Sequence, residues 1–173
     1  TLINPTAQVS NNAFNIGVLG FKLAVNDGLT VFNLVDGVVD EFHDNTGVDT
    51  SESSNATYDA SADTFSNSTT SMTLISDTFT ANTTPSTARI VLFAELPDGT
   101  SDFTISVTRD NSTFNNITLT DEGYQAGSSG IKIFSGSTSL TGSSSPQVQV
   151  RWKIVGSSLT GTNKIHGVSL QWK

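Results

Sequence analysis

The side chains whose type could do chemistry are His43 and His166, a crowd of acids between Asp36 and Asp49, and the aromatic residues Tyr58, Tyr124, Trp152 and Trp172. A serine nucleophile needs a base beside it, and neither histidine sits in a recognisable setting: His43 lies in a polar turn, and His166 lies beside Gly167 in an apolar-alternating run. G-x-S-x-G, H-E-x-x-H and phosphate-loop patterns are absent. His43 is therefore expected to be solvated, and His166 to be a half-buried strand histidine with a backbone partner. Glycoside hydrolysis needs two carboxyl groups facing one cleft. Glu95 and Asp98 come nearest, but Pro97-Asp98-Gly99 reads as a turn that carries Asp98 off the strand face. No catalytic residues are expected, and the chain reads as a non-enzyme.

Asp36, Asp40, Glu41, Asp44 and Asp49 supply the hard oxygen ligands that calcium takes, with Asp40, Asp44 and Asp49 the candidates, yet their spacing fits no EF-hand. The expectation is an acidic surface of solvated turns without a cofactor. An aromatic face can stack on the C–H face of a pyranose. Trp152 and Trp172 stand in apolar-alternating strands and read first as core or interface residues. Tyr124, in a Gly-rich stretch, is the candidate for glycan binding. Asn55, Asn82 and Asn116 open Asn-x-Ser/Thr sequons that follow from a chain in which Ser and Thr exceed a quarter of the residues.

The elements that must position these groups are strands. The 173 residues suit one domain, Glu occurs four times, and Gly and Asn are plentiful, a balance that favours strands and polar turns over helices. From Ser71 onward the runs SMTLISDTFTA, ARIVLFAEL, DFTISVTRD, NITLT, GIKIFSG, QVQVRWKIV and KIHGVSLQW alternate apolar and polar residues between turn clusters, the signature of a β-sandwich or jelly roll. Residues 43–70 are polar and, taken alone, pass for a linker. Without cysteine there are no disulfides, zinc-thiolate sites or thiol nucleophiles. A net charge of −8 with dispersed Lys and Arg disfavours nucleic acid, and no apolar run approaches the roughly 20 residues of a membrane span.

The densest apolar stretch runs from Phe14 to Phe42 and reads two ways. Phe14, Val18, Phe21, Val25, Phe32, Val35, Val39 and Phe42 fall on a spacing of three and four, which predicts a helix with Gly37 at its C-terminal cap. The glycines at 17, 20 and 28, and Asp27-Gly28 between FKLAV and LTVF, predict a hairpin instead. The apolar seam favours the helix. In either form, Phe14, Val18, Phe21, Val25, Phe32 and Val35 are too many large apolar groups to leave in water, and they are the expected oligomer interface.

Two stretches carry a family likeness. VDEFHDNTGVDTSESSNATYD resembles the opening of concanavalin-A-like jelly rolls, where an aspartate-aromatic strand enters a D-x-S-x-D-T-S turn. SVTRDNSTFNNITL, IKIFSGSTSL, VRWKIV and KIHGVSLQW resemble the C-terminal domain of tail-fibre and other virion appendage proteins of marine phages, which carry a V-S-R-D-G-G-T-T-W hairpin and end on an I-H-G-V-S-L-x-W strand. Asp110 keeps the hairpin aspartate, whereas Asn111-Ser112 replace the Gly-Gly and Phe114 the tryptophan. The resemblance implies a structural virion protein of a bacteriophage: a homotrimeric fibre, spike or decoration module on the particle surface, outside the cell, touching other virion proteins and a host-surface glycan. A carbohydrate-binding adhesin is the alternative, and a degenerate glycoside hydrolase the third reading. The expected organisation is an N-terminal oligomerisation segment over 1–37 and an all-β jelly-roll sandwich over 38–173.

Overall fold

The computed structural model of the chain describes residues 31–34 and 36–173. Thirteen strands follow in order: β1 Val31–Leu34, β2 Gly37–Asp40, β3 Ala56–Asp59, β4 Thr64–Asn67, β5 Ser71–Ile75, β6 Phe79–Thr80, β7 Thr87–Glu95, β8 Phe103–Thr108, β9 Asn115–Ile117, β10 Thr120–Tyr124, β11 Lys132–Ser139, β12 Gln149–Ser157 and β13 Lys164–Trp172. The one helical turn among them is a 3-10 turn at Thr100–Asp102. Each of the seven alternating runs after Ser71 holds at least one strand, and Pro97-Asp98-Gly99 is a turn closed by the Gly99 N–H on the Leu96 carbonyl at 3.0 Å.

Two antiparallel sheets form an all-β sandwich with the strand content of a jelly roll. The larger runs β1-β2-β13-β7-β11-β10, with β4 on β13 and β3 on β4; the smaller runs β5-β12-β8-β9, with β6 on β12. Strict alternation decides which side chains enter the core. On β7 Ala88, Ile90, Leu92 and Ala94 face in, opposite Val168 and Leu170 of β13. The small sheet answers with Ile105, Val107, Val150, Ile154 and the fully buried Trp152, so one apolar cluster fills the space between the layers. Trp152 meets Phe42 edge-on at 6.3 Å, and Phe42 meets Phe65 at 5.0 Å. The stretch that passes for a linker thus contributes a hairpin, β3–β4, whose Phe65 belongs to the core.

The helical reading of the apolar seam fails where the structure describes it. Val31–Leu34 is a strand paired with Gly37–Asp40, with Phe32 opposite Val39. The hairpin turns at Asp36, whose φ of 55° is the left-handed geometry such tight turns need. Gly37 is no helix cap: a Cβ there would lie 2.9 Å from the Leu170 carbonyl oxygen, so glycine is what lets β2 close on β13. Sheet hydrogen bonding from β13 outweighs a spacing that only resembled a helical stripe. Phe14, Val18, Phe21, Val25, Val35 and the Asp27-Gly28 turn lie outside the described residues. The β1–β2 pairing joins residues on both sides of position 37, and Val38, Val39 and Phe42 are buried.

Candidate functional site

Tyr124 ends the edge strand β10, and two thirds of it (66%) is open to solvent, which makes it the one exposed large apolar side chain among the described residues. Its cross-strand partner on β11 is Lys132. The Lys132 ammonium stands 5.3 Å from the centre of the Tyr124 ring and donates to Asp121 Oδ2 at 2.7 Å. That bond, helped by the Gly123 N–H, holds the Asp121 carboxyl below its ordinary range, while the same contact raises Lys132. A bulge between Asp121 and Gly123 re-aims the edge: Gly123 takes a φ of 99°, and Glu122 turns to accept the Ser135 hydroxyl at 2.5 Å. The loop after Tyr124 closes through the Gln125 N–H on the Ile131 carbonyl at 2.9 Å, so the ring sits beside an ordered turn.

The other aromatic candidates are structural. Trp152 is fully buried; Tyr58 stacks on Phe65 at 5.1 Å and donates its hydroxyl to the Phe42 carbonyl at 2.8 Å; Trp172 is half-buried against the core.

Both histidines contact carboxylates. His166 Nε2 lies 2.9 Å from Glu95 Oε1, with Lys164 Nζ at 3.8 Å from the same oxygen, so the partner is a side chain and not the backbone expected for it. His43 is not merely solvated: it bridges Asp63 at 3.0 Å and Glu41 at 3.4 Å. Among the described residues no hydroxyl shares a hydrogen bond with either imidazole. Glu95 engages His166 and Lys164, whereas Asp98 is drawn to Thr160, Gly161 and Asn163, which hold its carboxyl down at about 2.

The three calcium candidates each serve a different part of the fold. Asp40 is buried on β2; its Oδ1 accepts the Phe42 N–H at 2.9 Å, while its Oδ2 has no partner. Burial, opposed by that N–H and reinforced by Asp44 and Glu41, raises its carboxyl to about 7. Asp44 accepts from the Thr46 N–H at 2.8 Å. Asp49 accepts the Ser51 and Glu52 N–H groups and holds Arg151 at 2.9 Å. Among the described residues no three His, Asp or Glu side chains form a group that could hold a metal ion, and no helix is long and apolar enough to cross a membrane.

Sequence reasoning missed the Arg151 cluster. The guanidinium, 2% exposed, donates to the Ser76 carbonyl at 2.7 Å, Asp49 at 2.9 Å, Glu52 at 2.8 Å and Asn111 at 2.9 Å, tying the acidic loop and the aspartate hairpin to β12. The signal available was an arginine at a position bracketed by Val150 and Trp152, where alternation asks for an outward polar residue and gives no hint of burial. Asp110 is the keystone of the hairpin. Burial raises its carboxyl, but the Thr113 and Ser112 N–H groups, the Thr108 hydroxyl and the Ser144 N–H outweigh it and hold the group at about 2. Phe114 gives its ring to Lys153, whose ammonium lies 5.1 Å from the centroid.

No family model matches the chain, and no curated protein matches it. Solved structures similar in backbone arrangement include the following three. One is the GH26-CBM35 β-(1,4)-mannanase of Podospora anserina, at 14% identity and a TM-score of 0.45 over 81% of this chain and 28% of that one. Another is the enzymatically active domain of tailspike protein 4 of bacteriophage CBA120, at 12% identity and 0.38 over 64% of this chain and 15% of that one. The third is TmCBM27, a carbohydrate-binding module with specific mannan recognition, at 10% identity and 0.41 over 83% of this chain and 97% of that one. The chain therefore spans a small part of the first two proteins.

Proposed function

We propose that this sandwich is a non-catalytic carbohydrate-binding module and that Tyr124 is its sugar platform. The observation that carries the reading is an aromatic ring 66% exposed at a sheet edge, with its flank fixed by an ion-paired lysine. An apolar face with hydrogen-bonding groups at its margin is the counterpart of what a pyranose offers. Covering roughly 80 Å² of ring at about 25 cal/mol/Å² contributes about 2 kcal/mol, or roughly 30-fold in Kd. Asp121 neutralises Lys132, and Glu122 lies next to it, so the platform suits a neutral sugar. The non-catalytic reading rests on the imidazoles, which are held by carboxylates and share no hydrogen bond with a described hydroxyl.

A glycan array followed by calorimetry tests this. A neutral oligosaccharide should bind, Tyr124→Ala should weaken it about 30-fold, and no new reducing ends should appear. An array without a neutral ligand, or binding unchanged in Tyr124→Ala, overturns the reading. The likeness of the C-terminal strands to virion appendages supplies a setting, a homotrimeric attachment element on a bacteriophage particle, which mass spectrometry of purified particles checks.

A further inference from the structure

A groove of about 630 Å³ lies at the far end of the large sheet, where β7, β11 and β13 run together. Register builds it. Gln171, Arg89 and Ser137 form one cross-strand row, and Thr87 and Ser139 form the next. Because Ala88 and Ile90 enter the core, Thr87 and Arg89 between and beside them face outward, and their partners follow. Lys173 completes the polar wall, while Ala88 and the half-buried Trp172 give it apolar contact. The volume falls within the range of small-ligand sites.

The side-chain charge of this groove is opposite to that of the chain. The protein carries a net −8, yet the groove is lined by Arg89 and Lys173 and by no Asp or Glu. Every other described lysine and arginine side chain is committed. Arg109 serves the Gly142 and Pro85 carbonyls; Arg151 holds Asp49 and Glu52; Lys132 pairs with Asp121, Lys164 with Glu95, and Lys153 lies over Phe114. Among the described lysines and arginines, the side chains of Arg89 and Lys173 alone have neither an ion pair, a hydrogen bond nor an aromatic partner, and both line the same groove. The hydroxyls of Thr87, Ser137 and Ser139 and the amide of Gln171 likewise make no hydrogen bond within the described chain. Two uncommitted cations lining one groove favour an anion there, and a guanidinium fork matches a carboxylate or sulfate in two parallel bonds. Three free hydroxyls and an amide around that fork match a polyhydroxylated partner.

We infer that this groove binds an acidic saccharide, a sugar unit bearing a carboxylate or a sulfate, at a site separate from the Tyr124 platform. From Lys132, beside Tyr124, to Ser137, beside Arg89, the distance along β11 is about 17 Å. The inference stands on its own residues and does not require the Tyr124 reading. Calorimetry on the full chain tests it with four probes: trigalacturonate, a sulfated disaccharide, maltotriose and sodium sulfate. Trigalacturonate or the sulfated disaccharide should bind, and which of the two does so identifies the acidic group. Arg89→Ala should weaken that binding at least tenfold, Lys173→Ala several-fold, and Tyr124→Ala not at all; raising salt from 50 to 300 mM should weaken it too. Arg89 is exposed, so its replacement leaves the core intact, and an unchanged melting temperature verifies this. Failure of both acidic sugars to bind overturns the inference. So does maltotriose binding equally well, sodium sulfate binding as tightly as either sugar and so marking an adventitious ion only, or Arg89→Ala without effect.

Discussion

Replacing Asp40 by Asn should change how stability depends on pH, with a sign the structure fixes. The carboxyl is 1% exposed, one oxygen accepts the Phe42 N–H, and the other is buried without a partner. Burial raises its folded pKa from 3.8 to about 7, so between those values the folded state holds a proton that the unfolded state has released. Stability contributed by this proton is full below pH 3.8 and is lost as pH rises through 7. At 1.36 kcal/mol per unit the shift sets a ceiling of about 4 kcal/mol, and local relaxation around the ionised group brings it to about 2. Asn keeps the acceptor for Phe42 and cannot ionise. Urea unfolding of both proteins at pH 4, 5, 6, 7 and 8 should show the variant gaining about 2 kcal/mol relative to the parent between the ends of the series. The NH2 group of Asn meets the same unpartnered space, which adds a pH-independent offset, so the slope and not the level is the test. Parallel curves refute the reasoning. Glu41, also raised by burial, gives both proteins the same residual slope in that direction.

Arg151→Met should lower stability by about 3–5 kcal/mol, because it strips the buried Ser76 carbonyl of its donor, whereas Glu52→Gln, at a carboxylate 55% exposed, should cost under about 1 kcal/mol; thermal melts separate them. Asp110→Ala should cost about 2 kcal/mol at pH 7, a loss that fades in acid because the native carboxyl's contribution disappears as pH falls from 3.8 through about 2. A chain beginning at Val38 should be less stable than the full chain, since it loses the whole of β1 and its ladder with β2, as denaturant midpoints would show. EDTA should shift the melting temperature by less than about 10 °C, because Asp40, Asp44 and Asp49 are engaged in three different local structures; a larger fall marks a calcium site.

Alternation made the core legible. Ile90, Leu92, Val168 and Leu170 are buried where period two puts them, and the turn at Pro97-Asp98-Gly99 followed from its residue types. What alternation cannot see is pairing between distant strands. Val31–Leu34 and Gly37–Asp40 carry apolar groups at spacings that suit a helix as well as a hairpin, and the decision comes from β13, more than a hundred residues later. Tyr58 and Phe65 lie in a polar stretch where a short hairpin with one buried aromatic has no periodicity to detect. For the candidate sites, Tyr124 was visible as an aromatic in a Gly-rich setting. The Arg89 groove was not, since it exists only through the register of three strands and through the commitments of every other cation.

The place of β13 between β2 and β7 governs how the chain is made as well as how it is held. During synthesis β1, β2 and β7 are made before β13, and the two sides of the large sheet lack the strand that joins them until Lys164–Trp172 has emerged. The early strands therefore wait with open edges, the condition under which nascent β-proteins associate wrongly. A chain interrupted before Lys164 would hold two half-sheets with no strand between them, so yield in the cell should depend more on uninterrupted synthesis through Lys164–Trp172 than on any substitution in the surface turns.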